Sequence, residues 1–307
     1  MIRVLTNDGL QTGAINKLTS LGFEVVNNHY DKDELGAVLK EFDILVIRSA
    51  TKVTADILDK AQGGKLKLII RAGVGIDNID VSYATEKGVV VKNTPNASSE
   101  SVAELVIGHM FSLARFISIS NCTMRVGQWN KKKYEGTELG GKILGIVGMG
   151  RIGKALAKKA EALGMKVVYN DIFGKQDELP YEFFALDELL KISDFISLHV
   201  PYDKENGSLI GKDQFNIMKD GVYLINCARG KVVDESALLE ALDNGKVAGA
   251  GVDVFEEEPT KNEALVHHPK VSVTPHIGAA TKEAQERIGE EVVTTISKFV
   301  ANNLVTI

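Results

Sequence analysis

Apolar residues come along this chain in short runs separated by stretches of helical spacing. From the N-terminus the runs IRVL, FEVV, DILVI, LKLII and GVVV recur at intervals that each hold a helix and its loops. That alternation predicts a parallel sheet with helices on its faces. A second series, KILGIVG, MKVVYND, DFISLHV, GVYLINC, KVAGAGVDV and VSVTP, predicts another sheet. Between the two series, Ser98 to Val126 contains few helix breakers and mixed apolar spacing, and reads as one long, largely buried helix crossing between domains. The closing segment TKEAQERIGEEVVTTISKFVANN is helical, and its position after the second sheet allows it to return to the first. The expected organisation is α/β throughout: two doubly wound parallel-sheet domains, a smaller one over 1–97 completed by 283–307, and a larger one over 98–282.

Composition agrees with this and narrows the function classes. A chain of 307 residues is long enough to bury two cores. No apolar run approaches the roughly 20 residues that cross a bilayer, so no membrane span is expected. The opening MIRVLTNDGL reads as a strand entering a helix start rather than a signal segment, and a cytoplasmic location is the expectation. Cys122 and Cys227 offer neither metal-ligand spacing nor a disulfide framework, and both are expected to be buried thiols. A net charge of −5 argues against nucleic acid as a partner. An anionic ligand must therefore be held by local cations.

The most specific motif is Gly148-Met149-Gly150-Arg151-Ile152-Gly153, directly after the apolar run ILGIV and directly before KALAKKAEALG. Its glycines permit a tight turn and close backbone approach, and the amides and dipole at the helix start attract a pyrophosphate. This is the pattern of a Rossmann dinucleotide-binding domain. Asp171 closes the next run at about the 20-residue separation from the first glycine expected of a ribose-binding acid. Its charge would oppose a 2′-phosphate, and no arginine stands immediately beside it, so NAD is favoured over NADP.

Three later segments put polar groups just past buried strands, where open α/β sheets place their ligands. They are Ala228-Arg229-Gly230, Asp253 to Pro259, and Pro275-His276-Ile277-Gly278. Oxidising an alcohol needs a base, a hydride acceptor and, for an acid substrate, a cation. His276, the acidic run Glu256-Glu257-Glu258, Arg229 and a nicotinamide could supply them. Spacing alone does not choose among the three glutamates. His29, His109, His199, His267 and His268 are read as structural.

Taken together, NCARGKVVDESAL, GVDVFEEEP and TPHIGAAT resemble the D-isomer-specific 2-hydroxyacid dehydrogenase family along nearly the whole chain. The resemblance implies a Rossmann NAD-binding domain over 98–282 and a flavodoxin-like substrate domain over the rest. It selects Glu258, the glutamate immediately before the proline. His276 is then the base for the C2 hydroxyl, Glu258 its orienting partner, and Arg229 the carboxylate ligand. Asp253 is expected at the nicotinamide carboxamide, with Cys227 and Ala228 approaching the cofactor by backbone. Val200 and Pro201 carry over only a backbone or apolar role, because PYDKENGSLI departs from the family's threonine-rich loop. The expected cofactor contacts also include Val74, Gly148, Gly150, Arg151, Ile152, Gly153, Asp171, His276 and Gly278.

Within the family the chain is most similar to members that oxidise a phosphorylated D-2-hydroxy acid. IRSATKVTADIL contains Arg48, expected at the phosphate; RAGVGIDNID contains Arg71 and the Gly73-Val74-Gly75 turn, whose amides suit an α-carboxylate. NTPNASSESVAEL contains Asn96. Family precedent brings a basic residue across a dimer contact from the segment after Trp129, which points to Lys131 or a neighbour, although the arginine of some relatives is absent. A homodimer through the NAD-binding domains, including the long crossing helix, is implied. Too few residues follow His276 for a C-terminal ACT-type domain, so no serine regulation through one is expected. Sibling reductases of glyoxylate or hydroxypyruvate would share the trio, and Arg48 is the discriminator. NAD-sensing corepressors of the family would instead show a peptide-binding surface and extra tails.

Overall fold

The computed structural model describes residues 1–304; the end of the segment expected to complete the first domain, 305–307, lies outside the described residues. The chain divides into two compact units, Met1–Ser98 together with the segment from Ala279 on, and Ser99–Gly278.

The first unit holds β1 (Arg3–Thr6), β2 (Glu24–Asn27), β3 (Ile44–Ile47), β4 (Leu68–Arg71) and β5 (Val90–Asn93), all parallel in the order β2-β1-β3-β4-β5. Its helices are α1 (Thr12–Ser20), α2 (Lys32–Val38), α3 (Ala55–Lys60) and α4 (Val81–Glu86). The central strand β3 is buried along its length, which its ILVI run suits. Leu5, Leu45, Ile47 and Ile69 point to one face of the sheet; Val4, Ile44, Val46 and Ile70 point to the other. The order places a switch point between β1 and β3, where ligands of such sheets bind beyond the strand ends.

The second unit begins with α5 (Ser99–Ala114) and α6 (Ile117–Arg125). Its strands are β6 (Ile143–Val147), β7 (Lys166–Asn170), β8 (Glu182–Phe183), β9 (Phe195–Leu198), β10 (Val222–Asn226), β11 (Val247–Val252) and β12 (Val271–Val273). They form one parallel sheet in the order β12-β11-β10-β9-β6-β7-β8. Helices α7 (Arg151–Ala162), α8 (Leu186–Ile192), α9 (Lys212–Ile217), α10 (Glu235–Asp243) and α11 (Glu263–Val266) connect them, and α12 (Lys282–Leu304) follows within the first unit. The switch point falls between β6 and β9. The two-residue edge strand β8 is too short to leave a signal in the apolar pattern.

Two expectations are corrected. The stretch from Ser98 to Val126 is not one helix: α5 and α6 meet at 64° around Phe116, which takes a left-handed conformation (φ 56). The backbone N–H of Thr137 donates to the Ala114 carbonyl at 2.9 Å, taking the acceptor on which a continued helix would depend. Beyond the bend α6 buries none of its residues, so Cys122 is exposed while Cys227 is buried. Among the described residues no single helix is long and apolar enough to cross a membrane.

Candidate active site

At the switch point of the larger sheet, Gly148 leaves β6 with φ 95, and a Cβ there would stand 2.6 Å from the His199 carbonyl beyond β9. Only glycine satisfies both demands. Gly153 packs onto the Gly148 carbonyl, bringing α7 close to the strand, whereas a Cβ on Gly150 would enter open space. No side chain caps α7, so its first-turn amides at Arg151, Ile152 and Gly153 lack helical acceptors. An open cradle lined by free amides fits a pyrophosphate. Asp171, the first residue after β7, accepts from Met149 N at 2.8 Å and Phe173 N at 3.0 Å, fixing its carboxylate beside the turn. Burial lowers His199 from 6.5 to about 4, so its ring is neutral beside Val200 and Pro201; its Nε2 lies 2.9 Å from Ser197 Oγ.

Beyond β10, Asn226 clamps the next turn. Its Oδ1 accepts from Ala228 N at 3.1 Å and its Nδ2 donates to the Arg229 carbonyl at 2.9 Å. Gly230 abuts the backbone of Phe255 and Glu256, seating the Arg229 turn against the acidic run. The three glutamates of that run then separate by partner. Glu256 exchanges hydrogen bonds with Glu235 at the start of α10, at 3.1 and 2.8 Å. Glu257 pairs with Lys261 on the surface, and Glu258 Oε2 lies 2.7 Å from His276 Nδ1.

Glu258 is in a mixed environment. Burial pushes its carboxyl up, but the His276 hydrogen bond and charge, the Phe255 N–H and the positive field of Arg229 outweigh it and hold the group below 4.5. The ionised carboxylate fixes one imidazole nitrogen and leaves Nε2 able to take or release a proton. Side chains of His276 and Glu258 are 34% and 37% exposed, so the pair is accessible to a small molecule.

Asp253, buried after β11, gathers three donors: Thr274 Oγ1 at 2.6 Å, Ile277 N at 2.8 Å and Gly278 N at 2.9 Å. It thereby brackets His276, which adopts φ 53. Burial, aided by the Asp253 charge, raises the Cys227 thiol well above its ordinary value and keeps it neutral. Thr274 and Asn226 escaped the sequence reading; their only signal is a polar side chain at or just past the end of a buried strand.

The other candidates lie in the first unit, apart from Lys131, which sits on an exposed single helical turn over Lys131–Lys133 of the second. Arg48 follows β3, across the switch point from β1. Asp8 Oδ2 accepts from its N–H at 2.7 Å, and Asn78 Nδ2 donates to its carbonyl at 2.7 Å. Among the described residues no carboxylate pairs with its guanidinium. Arg71 lays its guanidinium over Gly73, Asn93 holds the Val74 carbonyl at 2.5 Å, and Gly75 follows in the same turn. Asn96 is engaged by Glu291, to which its side chain donates at 2.8 Å. Among the described residues no cluster of His, Cys, Asp and Glu is placed to hold a metal ion.

Residues 107–278 match the model of the D-isomer specific 2-hydroxyacid dehydrogenase NAD binding domain. A hydroxypyruvate reductase of Thermotoga maritima is 48% identical over 96% of this chain and 97% of its own length. A D-3-phosphoglycerate dehydrogenase of Methanocaldococcus jannaschii is 44% identical over 99% of this chain, which spans 58% of that longer protein. Among solved structures, the D-lactate dehydrogenase of Aquifex aeolicus, complexed with NAD and lactic acid, is 35% identical with a TM-score of 0.84, covering 99% of this chain and 97% of that one.

Proposed function

This chain belongs to the NAD-dependent D-isomer-specific 2-hydroxyacid dehydrogenase family, and from that premise we propose that it oxidises D-3-phosphoglycerate to 3-phosphohydroxypyruvate, the opening step of the phosphorylated route to L-serine. The observation that carries the reading is Arg48, anchored by its backbone to Asp8 and Asn78 while its guanidinium has no carboxylate partner among the described residues. A phosphorylated substrate needs a cation besides the one that takes its carboxylate, and the Arg48 guanidinium is available for a phosphate.

Bound NAD supplies the hydride acceptor. His276 takes the C2 hydroxyl proton on Nε2, with Glu258 fixing the ring through Nδ1 and stabilising the imidazolium that forms. Arg229 binds the α-carboxylate and polarises the C2 oxygen, and the Gly73-Val74-Gly75 turn of the first unit has amides that suit a carboxylate. Asp253 would stand at the nicotinamide carboxamide, while Val200, Pro201, Cys227 and Ala228 would line the cofactor by backbone and apolar contact. Asp171 accepts from the adenosine ribose. The chain acts as a homodimer paired through its NAD-binding unit, with Lys131 or a neighbour reaching the other copy's substrate. In support, Ile117, Met124, Val126 and Trp129 are more than half exposed on and just after α6.

A second reading, reduction of unphosphorylated hydroxypyruvate, is favoured by the Thermotoga maritima relative, which aligns along nearly its entire length. Steady-state NADH formation with D-3-phosphoglycerate, and NADH loss with phosphorylated and unphosphorylated hydroxypyruvate, separates the two. Phosphoglycerate oxidation is expected to be the more efficient, and Arg48→Ala to raise its KM at least about tenfold, as for loss of a charge-assisted hydrogen bond, with little effect on the unphosphorylated acid. An equal effect on both substrates would sink the assignment.

A further inference from the structure

Helix α5 carries the apolar stripe Val102, Val106, Met110 and Leu113, and into the same buried surface it inserts His109, only 3% exposed. An imidazole in such a place loses its hydration and must recover it in specific hydrogen bonds. The sheet is shaped to admit it. A Cβ on Gly251 of β11 would stand 2.8 Å from His109 Cβ, so that glycine serves for space rather than backbone freedom.

Both ring nitrogens are engaged: Nδ1 lies 3.0 Å from Ser272 Oγ and Nε2 lies 3.1 Å from Thr274 Oγ1. The proton positions follow by elimination. Thr274 Oγ1 is 2.6 Å from the Asp253 carboxylate, which can only accept, so the hydroxyl proton goes there. Towards His109 the same oxygen is an acceptor and Nε2 is the protonated nitrogen, leaving Nδ1 of the neutral ring beside the Ser272 hydroxyl, which also lies 3.2 Å from Ser112 Oγ. Burial lowers the imidazole below 6.5 despite the opposing charge of Asp253, in keeping with one ring proton at neutral pH.

We infer that His109 is a positioning residue for the chemistry: through Thr274 it orients the Asp253 carboxylate, which in turn holds the Ile277 and Gly278 amides and so the left-handed backbone at His276. A methionine or leucine would fill the same volume. It would leave Thr274 free to rotate and Asp253 with one donor less securely aimed. The effect on catalysis rests on the functional reading given above; the hydrogen-bond relay itself does not.

The test compares His109→Met, His109→Gln and Thr274→Val in the otherwise unaltered protein, with thermal melts establishing that each folds. Glutamine places an amide N–H where Nε2–H stood, and methionine places none. In the cofactor-free protein, the amide resonances of Ile277 and Gly278 should move in His109→Met and Thr274→Val, and return towards the parent in His109→Gln. NADH affinity by fluorescence should weaken by up to about tenfold in His109→Met, the scale of one lost hydrogen bond, and recover in His109→Gln. The double variant should be no worse than Thr274→Val alone, because both changes cut one relay. Unmoved amides with unchanged NADH affinity in His109→Met, or equal losses in the Met and Gln variants, would overturn the inference. If His109→Met does not fold, His109→Leu carries the same amide and affinity measurements. Failure of the functional reading would show separately, as an unaltered protein that binds NADH and turns over no 2-hydroxy acid.

Discussion

His276 Nδ1 lies 2.7 Å from Glu258 Oε2, and the same carboxylate takes the Phe255 N–H through its other oxygen at 3.2 Å. Glu258 is thereby held at both oxygens, and the imidazole can pivot only by breaking its shorter bond. Glu258→Gln keeps the shape, removes the charge and allows the amide to present its N–H₂ to the ring. The expected result is a kcat loss on the order of 10², with KM for the acid changed little, since the lost interaction belongs to proton transfer. His276→Asn should lose about 10² to 10⁴. Stopped-flow single-turnover rates check both, and a Glu258→Gln enzyme with parental turnover would remove the pair from the chemistry.

Two glycines of one turn should behave oppositely. Gly148 has φ 95 and faces the His199 carbonyl, so Gly148→Ala strains the backbone and should cost about 1–3 kcal/mol of stability. Gly150 has φ −76 and open space around its Cβ position, so Gly150→Ala should melt near the parent. It should nonetheless weaken NADH binding, because the added methyl occupies the cradle over α7. Calorimetric melts paired with NADH titrations read this contrast. Parental NADH affinity in Gly150→Ala would place the pyrophosphate elsewhere.

Asp171 is fixed by the Met149 and Phe173 amides and presents its charge beside the turn. Asp171→Ser should raise KM for NAD about tenfold by removing hydrogen bonds to a charged acceptor, and should narrow the preference over NADP by the same step. The ratio of kcat/KM for the two cofactors is the measurement. An unchanged ratio would mean that another group reads the ribose.

Arg48 depends on a residue that sequence pattern does not mark. Asp8 Oδ2 accepts from the N–H groups of Arg48 and Thr51 at 2.7 and 3.0 Å, and its Oδ1 from Thr51 Oγ1 at 2.5 Å. Asp8→Ala releases that segment, so it should raise KM for phosphoglycerate in the manner of Arg48→Ala, with a smaller effect on an unphosphorylated acid. Parallel losses for the two substrates would show that Asp8 serves only the fold.

The strands were legible because buried parallel strands need short apolar runs whatever surrounds them; ILVI at β3 and ILGIV at β6 announce themselves. The glycine turn was legible because its demands are local. What escaped depends on partners far along the chain. The end of α5 at Ala114 is decided by the Thr137 amide, and nothing near Ala114 signals it. Glu256, Glu257 and Glu258 are chemically identical, and only the fold gives them Glu235, Lys261 and His276 as separate partners. His109 read as a core histidine because Ser272 and Thr274 reach it from more than 160 residues away.

Acid stability should report the buried imidazoles. Burial lowers His199 from 6.5 to about 4, and lowers His109 in the same direction. In the unfolded chain both rings take a proton near the ordinary value, whereas in the folded chain they resist it. The unfolded state therefore binds more protons between those limits, and stability falls as pH falls, from a plateau above 6.5. Each neutral ring contributes a slope of up to about 1.36 kcal/mol per pH unit. The carboxylates held low, Asp194 and Glu258, lose their contribution only at more acid pH, below their ordinary 3.8 and 4.5. Urea unfolding at a series of pH values between 6.5 and 4.5 should thus show falling free energy, with a shallower slope in His199→Asn whatever that variant's absolute stability. A flat profile across this window would mean that neither ring is shielded from protonation in the folded protein.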